Sequence, residues 1–144
     1  MFMPWQEHYS LRHHELDTQR KRFLSIINDL HASLEAKHED KAIKAVIDRL
    51  AQFSKLYFGR EEELMKRHGF PDVANHRLLH NRFAQETSQL SKMFPGAVTG
   101  PELLRFLKNW WVSHVYEEDK KCVPYLSQRG RCNQAPSPLA TAAK

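Results

Sequence analysis

Charged and imidazole side chains interrupt the apolar stripes of predicted helices in this chain. In the stretch YFGREEELMKRHGFPDVANHRLLH, Glu61, His76 and His80 stand at positions that helical periodicity assigns to buried faces. The stretch WWVSHVYEED adds His114 and, five residues later, Asp119. A buried carboxylate without a partner costs several kcal/mol, so two inward carboxylates require positive charge nearby. This requirement restricts the chain to folds that bring these residues together.

Composition indicates a single all-α domain. Only five of the 144 residues are glycine, strand-favouring runs are few, and Leu, Lys, Arg, Glu and Ala are abundant. No apolar run approaches the ~18 residues that a membrane span requires. The start MFMPWQEHYS has neither the basic region nor the apolar block of a signal peptide. We therefore expect a cytoplasmic protein with no membrane partner.

The formal charge of +5 comes from dispersed basic residues. The densest group is RKR at 20–22, and within it Arg20 points inward by periodicity. Because no basic stripe with interleaved aromatics is present, we expect no nucleic-acid binding. Cys122 and Cys132 do not form a disulfide framework and are expected to be two reduced thiols.

Apolar periodicity predicts four helices behind an N-terminal arm. The arm, residues 1–12, carries Trp5 and Tyr9, whose rings are expected to dock on the domain. The helical domain is predicted to span 13–127, and residues 128–144 to form a disordered tail because they lack apolar periodicity. The predicted helices cover residues 13–37, 40–68, 72–93 and 101–126.

Short connections predict an up-down-up-down four-helix bundle. In that topology the start of the first helix, the end of the second, the start of the third and the end of the fourth meet at one end. At ~1.5 Å per residue, the inward polar residues all lie roughly 6–18 Å from that end. The residues gathered into this layer are Arg20, Tyr57, Glu61, His76, His80, His114 and Asp119.

A metal site explains this polar layer. Neutral imidazole and carboxylate are ligands that suit iron, zinc or manganese, and a divalent cation compensates the carboxylates. The alternative is a metal-free polar core in which Arg20 neutralises them. We find no nucleophile–base pair, Gly-rich phosphate loop or second catalytic motif. The pattern therefore favours a binding protein over an enzyme.

The same motifs resemble those of the hemerythrins, especially the single-domain bacteriohemerythrins. Similarity covers about residues 3–127 and begins with the aromatic arm. The resemblance implies a bundle with a two-iron centre, held by five histidines and two bridging carboxylates. The matching motifs are D-x-Q at 17–19, F-x-x-E-E-x-L-M at 58–65, H-x-x-x-H at 76–80 and W-x-x-x-H-x-x-x-x-D at 110–119.

The resemblance assigns roles to five residues. His76, His80 and His114 correspond to the three ligands of one iron. Glu61 and Asp119 correspond to the bridging pair. The family's other iron, at which its members bind O2, takes two histidines from the first two helices.

That second metal position departs from the family pattern. Arg20 and Tyr57 stand where the family has histidines. Trp111 replaces a leucine that lines the family's O2 pocket, and Trp111 and Val115 are predicted to line the ligand pocket here. An indole would fill space left for the diatomic, unless Trp111 faces outward or merely repacks the core.

Charge favours one metal ion over two. One divalent ion offsets two carboxylates, and the Arg20 guanidinium leaves the site at +1. A second divalent ion would raise this to +3 in a core of low dielectric constant. Two alternatives keep a second metal: Tyr57 as the phenolate ligand of a ferric ion, or His13 and His14 as substitute ligands.

Three function hypotheses follow. The first is a non-haem protein with one iron, or one zinc, and impaired O2 binding, with O2 or NO as the candidate diatomic ligand. The second is a di-iron carrier, store or sensor of O2. The third is a metal-free interaction module. The sequence does not identify a partner protein.

Overall fold

The structure, a computed structural model, describes residues 1–118 and 120–126, and within these the side chains of 115–118 are not described. A short 3-10 helix, Glu7–Tyr9, precedes the bundle. The described residues contain no strand, which confirms the all-α prediction. The α-helices are α1 (His14–Glu35), α2 (Asp40–Arg67), α3 (Val73–Met93) and α4 (Gly100–Trp110).

The four helices form the predicted bundle. Helix α1 packs against both α2 and α4, and α2 also packs against α3. Between α3 and α4, the Phe83 ring contacts Phe106 and Trp110, with centroids 5.8 and 4.2 Å apart. The chain therefore surrounds one continuous core, and no described helix is long and apolar enough to cross a membrane.

The buried face of α2 follows the predicted periodicity along its whole length. Its stripe is apolar in the first half and polar in the second. The buried positions, at the spacing that helical periodicity requires, are Ile43, Ile47, Leu50, Ser54, Tyr57, Glu61, Leu64 and, at the C-cap, His68.

The turn after α2 places two candidate ligands at the same level as Glu61. Helix α2 ends at Arg67, and Gly69 adopts a φ of 80°, a left-handed conformation that favours glycine at a helix C-terminus. Because α3 begins soon afterwards at Val73, its first two turns run beside the last two turns of α2. His76 and His80 lie in those turns and are buried.

The fourth helix departs from the prediction. Instead of one continuous α-helix over 101–126, the α-helix ends at Trp110 and a π-helix, Trp111–Glu118, follows. A π turn closes its hydrogen bonds over five residues, so a face inferred from a period of 3.6 does not persist through it. His114 is presented by this wider segment.

The arm docks on the bundle, which confirms the prediction for its aromatic residues. Tyr9 is buried, and its ring meets Trp111 edge-on with centroids 5.1 Å apart; Trp5 is half-buried beside it. Asp17 holds the arm in place, because its carboxylate accepts hydrogen bonds from the backbone N–H of Leu11 at 2.7 Å and the Ser10 hydroxyl at 2.5 Å.

Two predictions concern residues that the structure only partly describes. Cys122 is buried, whereas Cys132 lies outside the described residues. The tail predicted over 128–144 also lies outside them.

Candidate metal centre

Four potential metal ligands converge in the core. Glu61 comes from α2, His76 and His80 from α3, and His114 from the π-helical segment. One ligand atom from each lies within 4.8 Å of those of the other three. None of the four residues is more than 3 % exposed. The bundle thus brings together the four described members of the predicted ligand set; Asp119 lies outside the described residues.

Glu61 lies at the middle of this cluster. Its Oε1 is 3.3 Å from His76 Nε2 and 3.1 Å from His80 Nε2. Its other oxygen, Oε2, accepts a hydrogen bond of 2.9 Å from the Tyr57 hydroxyl. The carboxylate therefore faces two imidazoles with one oxygen and a phenol with the other.

Aromatic rings support two of the imidazoles. The Phe58 ring stacks on His80 with centroids 3.9 Å apart and planes 3° from parallel. The Trp110 ring stacks on His114 at 4.6 Å and 13°. These contacts restrict rotation of the imidazoles and shield them from water, so the ligand atoms are held in place before any ion binds.

Glu62 contacts a candidate ligand, a contact that the sequence did not predict. Periodicity places it on the solvated face of α2, yet its side chain is only 15 % exposed and its Oε2 lies 2.6 Å from His80 Nδ1. Arg77 holds the other oxygen, with its Nε 3.0 Å from Glu62 Oε1. The sequence signal for this contact was the spacing of Arg77 and His80: three residues apart, they lie on one side of α3, where one carboxylate can contact both.

Burial and hydrogen bonding oppose each other at the ionisable groups. Burial alone would raise the pKa of Glu61, but hydrogen bonds from His76 and His80 hold that pKa well below its ordinary value. Burial alone would lower the pKa of His80, but its contacts with the Glu61 and Glu62 carboxylates raise it. The metal-free site therefore favours a carboxylate beside an imidazolium.

The two residues that the resemblance places at the family's other histidine positions are both inside the protein. Arg20 is 0 % exposed, which confirms that it points inward, and its Nη1 donates a hydrogen bond of 2.9 Å to the Tyr9 carbonyl oxygen. Tyr57 is 1 % exposed and lies four residues before Glu61 on α2. A buried cation on α1 is thus held against the arm, and a hydroxyl donor on α2 contacts Glu61.

Trp111 is buried, so the alternative that it faces outward is wrong. It is 0 % exposed and lies beside Tyr9 and Phe23, with ring centroids at 5.1 and 5.9 Å. Its indole N–H has no hydrogen-bond partner among the described residues. The side chain of Val115, the other predicted pocket residue, is not described.

The two histidines proposed as substitute ligands lie outside the cluster. His13 caps α1, where its Nδ1 accepts from the backbone N–H of Leu16 at 3.4 Å. His14 is exposed. Neither joins Glu61 among the described groups that could hold an ion, so this alternative is not supported.

Comparison with known proteins identifies the family. Residues 12–126 match the model of the hemerythrin HHE cation binding domain. The chain belongs to the hemerythrin family. Two relatives show the range of the similarity: a bacteriohemerythrin of Pseudomonas aeruginosa is 31 % identical over 116 residues, covering 80 % of this chain and 75 % of the relative. A hemerythrin-like protein of Naegleria gruberi is 27 % identical over 117 residues, covering 81 % and 87 %.

Solved hemerythrin structures share the fold. The crystal structure of a wild-type hemerythrin superimposes with a TM-score of 0.78 at 27 % identity, over 88 % of this chain and 99 % of the other. Iron binding is expected in a hemerythrin, and the donor set fits it, because three imidazoles and a carboxylate converge from three helices. This member of the family has a buried site suited to a metal ion.

Proposed function

We propose that this protein holds one iron ion per chain through His76, His80, His114 and Glu61, and that its O2 binding is impaired relative to the family. Asp119 stays the predicted second carboxylate ligand. When bound, iron would supply a Lewis-acidic and redox-active centre. The residues around the ion would determine which ligands reach it and the net charge of the site.

The hydrogen bond between Tyr57 and Glu61 carries this proposal. In the family pattern Glu61 would bridge two metals, one at each oxygen. Here the Tyr57 hydroxyl donates to Oε2 at 2.9 Å, while Oε1 faces the histidines. A neutral phenol that keeps its proton satisfies the oxygen that a second metal would need.

The charge of Arg20 supports the same conclusion. Its guanidinium is fully buried and stays protonated under ordinary conditions, and the family resemblance assigns its position on α1 to a ligand of the second metal. A second divalent ion next to it would add like charge in a low-dielectric core, where repulsion is weakly screened. The guanidinium instead supplies fixed positive charge where the family places an ion.

Trp111 supports the loss of O2 binding. The indole is fully buried and packs between Tyr9 of the arm and Phe23 of α1. It is larger than the leucine of the family pattern, so it would fill volume that the diatomic requires. O2 or NO binding then depends on an open position at the single metal.

Metal quantification with absorption spectra tests the proposal. We expect about one iron per chain, and no absorption change that appears in air and reverses under argon. Zinc is measured in the same samples because three histidines and a carboxylate also satisfy tetrahedral zinc. Two irons per chain with a reversible response to O2 would show an ordinary hemerythrin instead.

A gain-of-function variant sharpens this experiment. The double substitution Arg20→His and Tyr57→His supplies the two family ligands and should raise iron uptake towards two per chain. Trp111→Leu added to that variant should then restore the reversible response to O2. A double variant that folds but still binds one iron would contradict our explanation of the altered half.

A metal-free interaction module is the second candidate function. It is favoured by one observation, that protein groups surround the Glu61 carboxylate: the Tyr57 hydroxyl donates to one oxygen, and His80 Nε2 lies 3.1 Å from the other. In that case chelation would leave the melting temperature unchanged. A one-metal protein should lose thermal stability on chelation, because an ion that binds the native state stabilises it.

A further inference from the structure

A chain of contacts runs from the surface of α3 to the proposed ligands. Arg77 Nε is 3.0 Å from Glu62 Oε1, and Glu62 Oε2 is 2.6 Å from His80 Nδ1. On the opposite edge of the same ring, His80 Nε2 faces Glu61 at 3.1 Å. The imidazole is therefore held at both nitrogens, by the interior carboxylate on one side and a nearly buried carboxylate on the other.

We infer that Glu62 is a positioning residue for the metal: it holds His80 as the tautomer with its proton on Nδ1, so that the Nε2 lone pair points into the site. This inference rests on the proposed metal site and deepens it. Glu62 does not bind the ion itself in this arrangement.

The tautomer follows from hydrogen-bond chemistry. A neutral imidazole carries one N–H, and the nitrogen without it offers the lone pair that a metal needs. At 2.6 Å from Nδ1, the Glu62 carboxylate can only accept, so the proton belongs on Nδ1. A carboxylate on the outer nitrogen also increases the basicity of the ligand nitrogen.

The ring orientation is held by three contacts acting together. Phe58 stacks on the face of His80 at 3.9 Å, which sets the plane of the ring. Glu62 sets its rotation within that plane, and Arg77 restrains Glu62 in turn. Because Arg77 and His80 are three residues apart on α3, they form one surface against α2.

Consecutive glutamates on α2 have different environments. Residues next to each other on an α-helix point ~100° apart, so Glu61 faces the interior and Glu62 faces the edge of α3. Glu63 points away again: its side chain is 56 % exposed and pairs with Arg60 at 2.6 Å. Among the described residues, Glu63 contacts none of the proposed ligands, so it provides a matched control of the same charge at the next position along the helix.

Zinc affinity of the full chain tests the inference, with zinc as a diamagnetic probe. We expect Glu62→Ala to raise the zinc Kd about 10–100-fold, the usual effect of losing such a partner. Glu62→Gln should cost less, because the amide oxygen still accepts from Nδ1–H. Glu63→Ala should leave the Kd unchanged. Circular dichroism confirms that each variant is folded.

Proton NMR of the zinc-loaded protein separates positioning from general stability. The wild type should show a downfield His80 Nδ1–H resonance protected from exchange. It should disappear in Glu62→Ala and stay, less far downfield, in Glu62→Gln. A wild-type Kd in Glu62→Ala, equal losses in both Glu62 variants, or a resonance that persists in Glu62→Ala would each overturn the inference.

Failure of the proposed function gives a different result. The metal count of the wild type tests whether one ion is bound, whereas the ratio of Kd values tests Glu62. Suppose that the wild type binds two ions per chain, and that Glu62→Ala binds zinc more weakly and lacks the His80 resonance. This result would overturn the one-metal proposal and support the positioning role of Glu62. If the wild type binds one ion and Glu62→Ala keeps the wild-type Kd and resonance, the one-metal proposal stands and the positioning role is wrong.

Discussion

On one side of Glu61, two imidazole nitrogens lie within 3.3 Å of Oε1; on the other, the Tyr57 hydroxyl donates a hydrogen bond to Oε2. The histidine half, from α3 and the π-helical segment, contains the imidazoles that would hold a cation in our proposal. The half formed by α1 and α2 contains the Tyr57 hydroxyl, which donates to Glu61, and the buried Arg20 guanidinium, which donates to the Tyr9 carbonyl oxygen. In our proposal, one buried layer thus contains both a site for one metal ion and the groups that replace a second.

The comparison shows that similar burial does not imply similar chemistry. His76, His80 and His114 are at most 3 % exposed, and Arg20 and Tyr57 are equally inaccessible. What distinguishes the halves is the chemistry of their groups. A neutral imidazole has a nitrogen lone pair that can bind a cation, whereas a guanidinium has only N–H donors and no lone pair to offer.

The largest expected effect comes from the histidine half. His80→Ala removes a proposed ligand and leaves Glu61 and Glu62 without its ring, so the Kd for iron or zinc should rise by more than the ~100-fold typical of losing a supporting contact. Isothermal titration calorimetry measures the change. His38→Ala, an exposed histidine, is the control. If His80→Ala kept the wild-type Kd, the histidine half would not be the half that binds the metal.

Arg20→Met tests the other half through stability. The variant keeps much of the side-chain volume but loses the buried charge and its hydrogen bond to the Tyr9 carbonyl oxygen. Hydrogen bonds to charged groups contribute about 1.5–3 kcal/mol, and we expect the free energy of unfolding to fall by this amount in urea. Arg82→Met, at an exposed position, should change it by less than about 0.5 kcal/mol. Equal effects would show that Arg20 has no special role.

The pH dependence of metal affinity should follow His80. Because its two carboxylate neighbours raise its pKa, the metal-free ring holds a proton that the ion must displace from Nε2. As pH falls below that raised pKa, affinity should fall by up to about tenfold per unit for one proton. Glu61, with its lowered pKa, stays ionised over that range. Calorimetry in buffers of different ionisation enthalpy measures the proton release; its absence would contradict the hydrogen-bond network described.

Tyr57→Phe should have the smallest effect. It removes one hydrogen bond to Glu61 Oε2 and should lower the free energy of unfolding by about 0.5–1.5 kcal/mol. Tyr125→Phe, at the surface, is the control. The visible spectrum of the oxidised, iron-loaded protein should not change. Loss of a visible band in Tyr57→Phe would instead identify Tyr57 as a ferric phenolate ligand and make the two halves alike.

Much of this architecture could be predicted because apolar residues at helical spacing indicate which face of a helix is buried. The stripe of α2, including Tyr57 and Glu61, is buried as its spacing predicts, and the inward position of Arg20 was evident for the same reason. Topology then placed His76 and His80 beside Glu61, because short turns make successive helices antiparallel. The family resemblance added the roles of these residues.

Three features could not be predicted in the same way. The π-helix that begins at Trp111 changes the direction in which the side chains after α4 point. Its wider turns leave no reliable periodic pattern in the sequence. Glu62 contacts His80 only because α3 lies within reach of the edge of α2. The spacing of four residues on α2 places Tyr57 beside Glu61, but it does not determine which carboxylate oxygen accepts from the hydroxyl.

The sequence by itself determined which residues face the interior and, through short connections, that they share one end of the bundle. Only the tertiary structure decided which nitrogen or oxygen faces which partner. The physical reason is that the two properties depend on different distances. Burial repeats with the helical period, so it leaves a pattern of apolar residues every few positions. Hydrogen bonds between helices depend on distances precise to fractions of an ångström, which the sequence of a single helix does not encode.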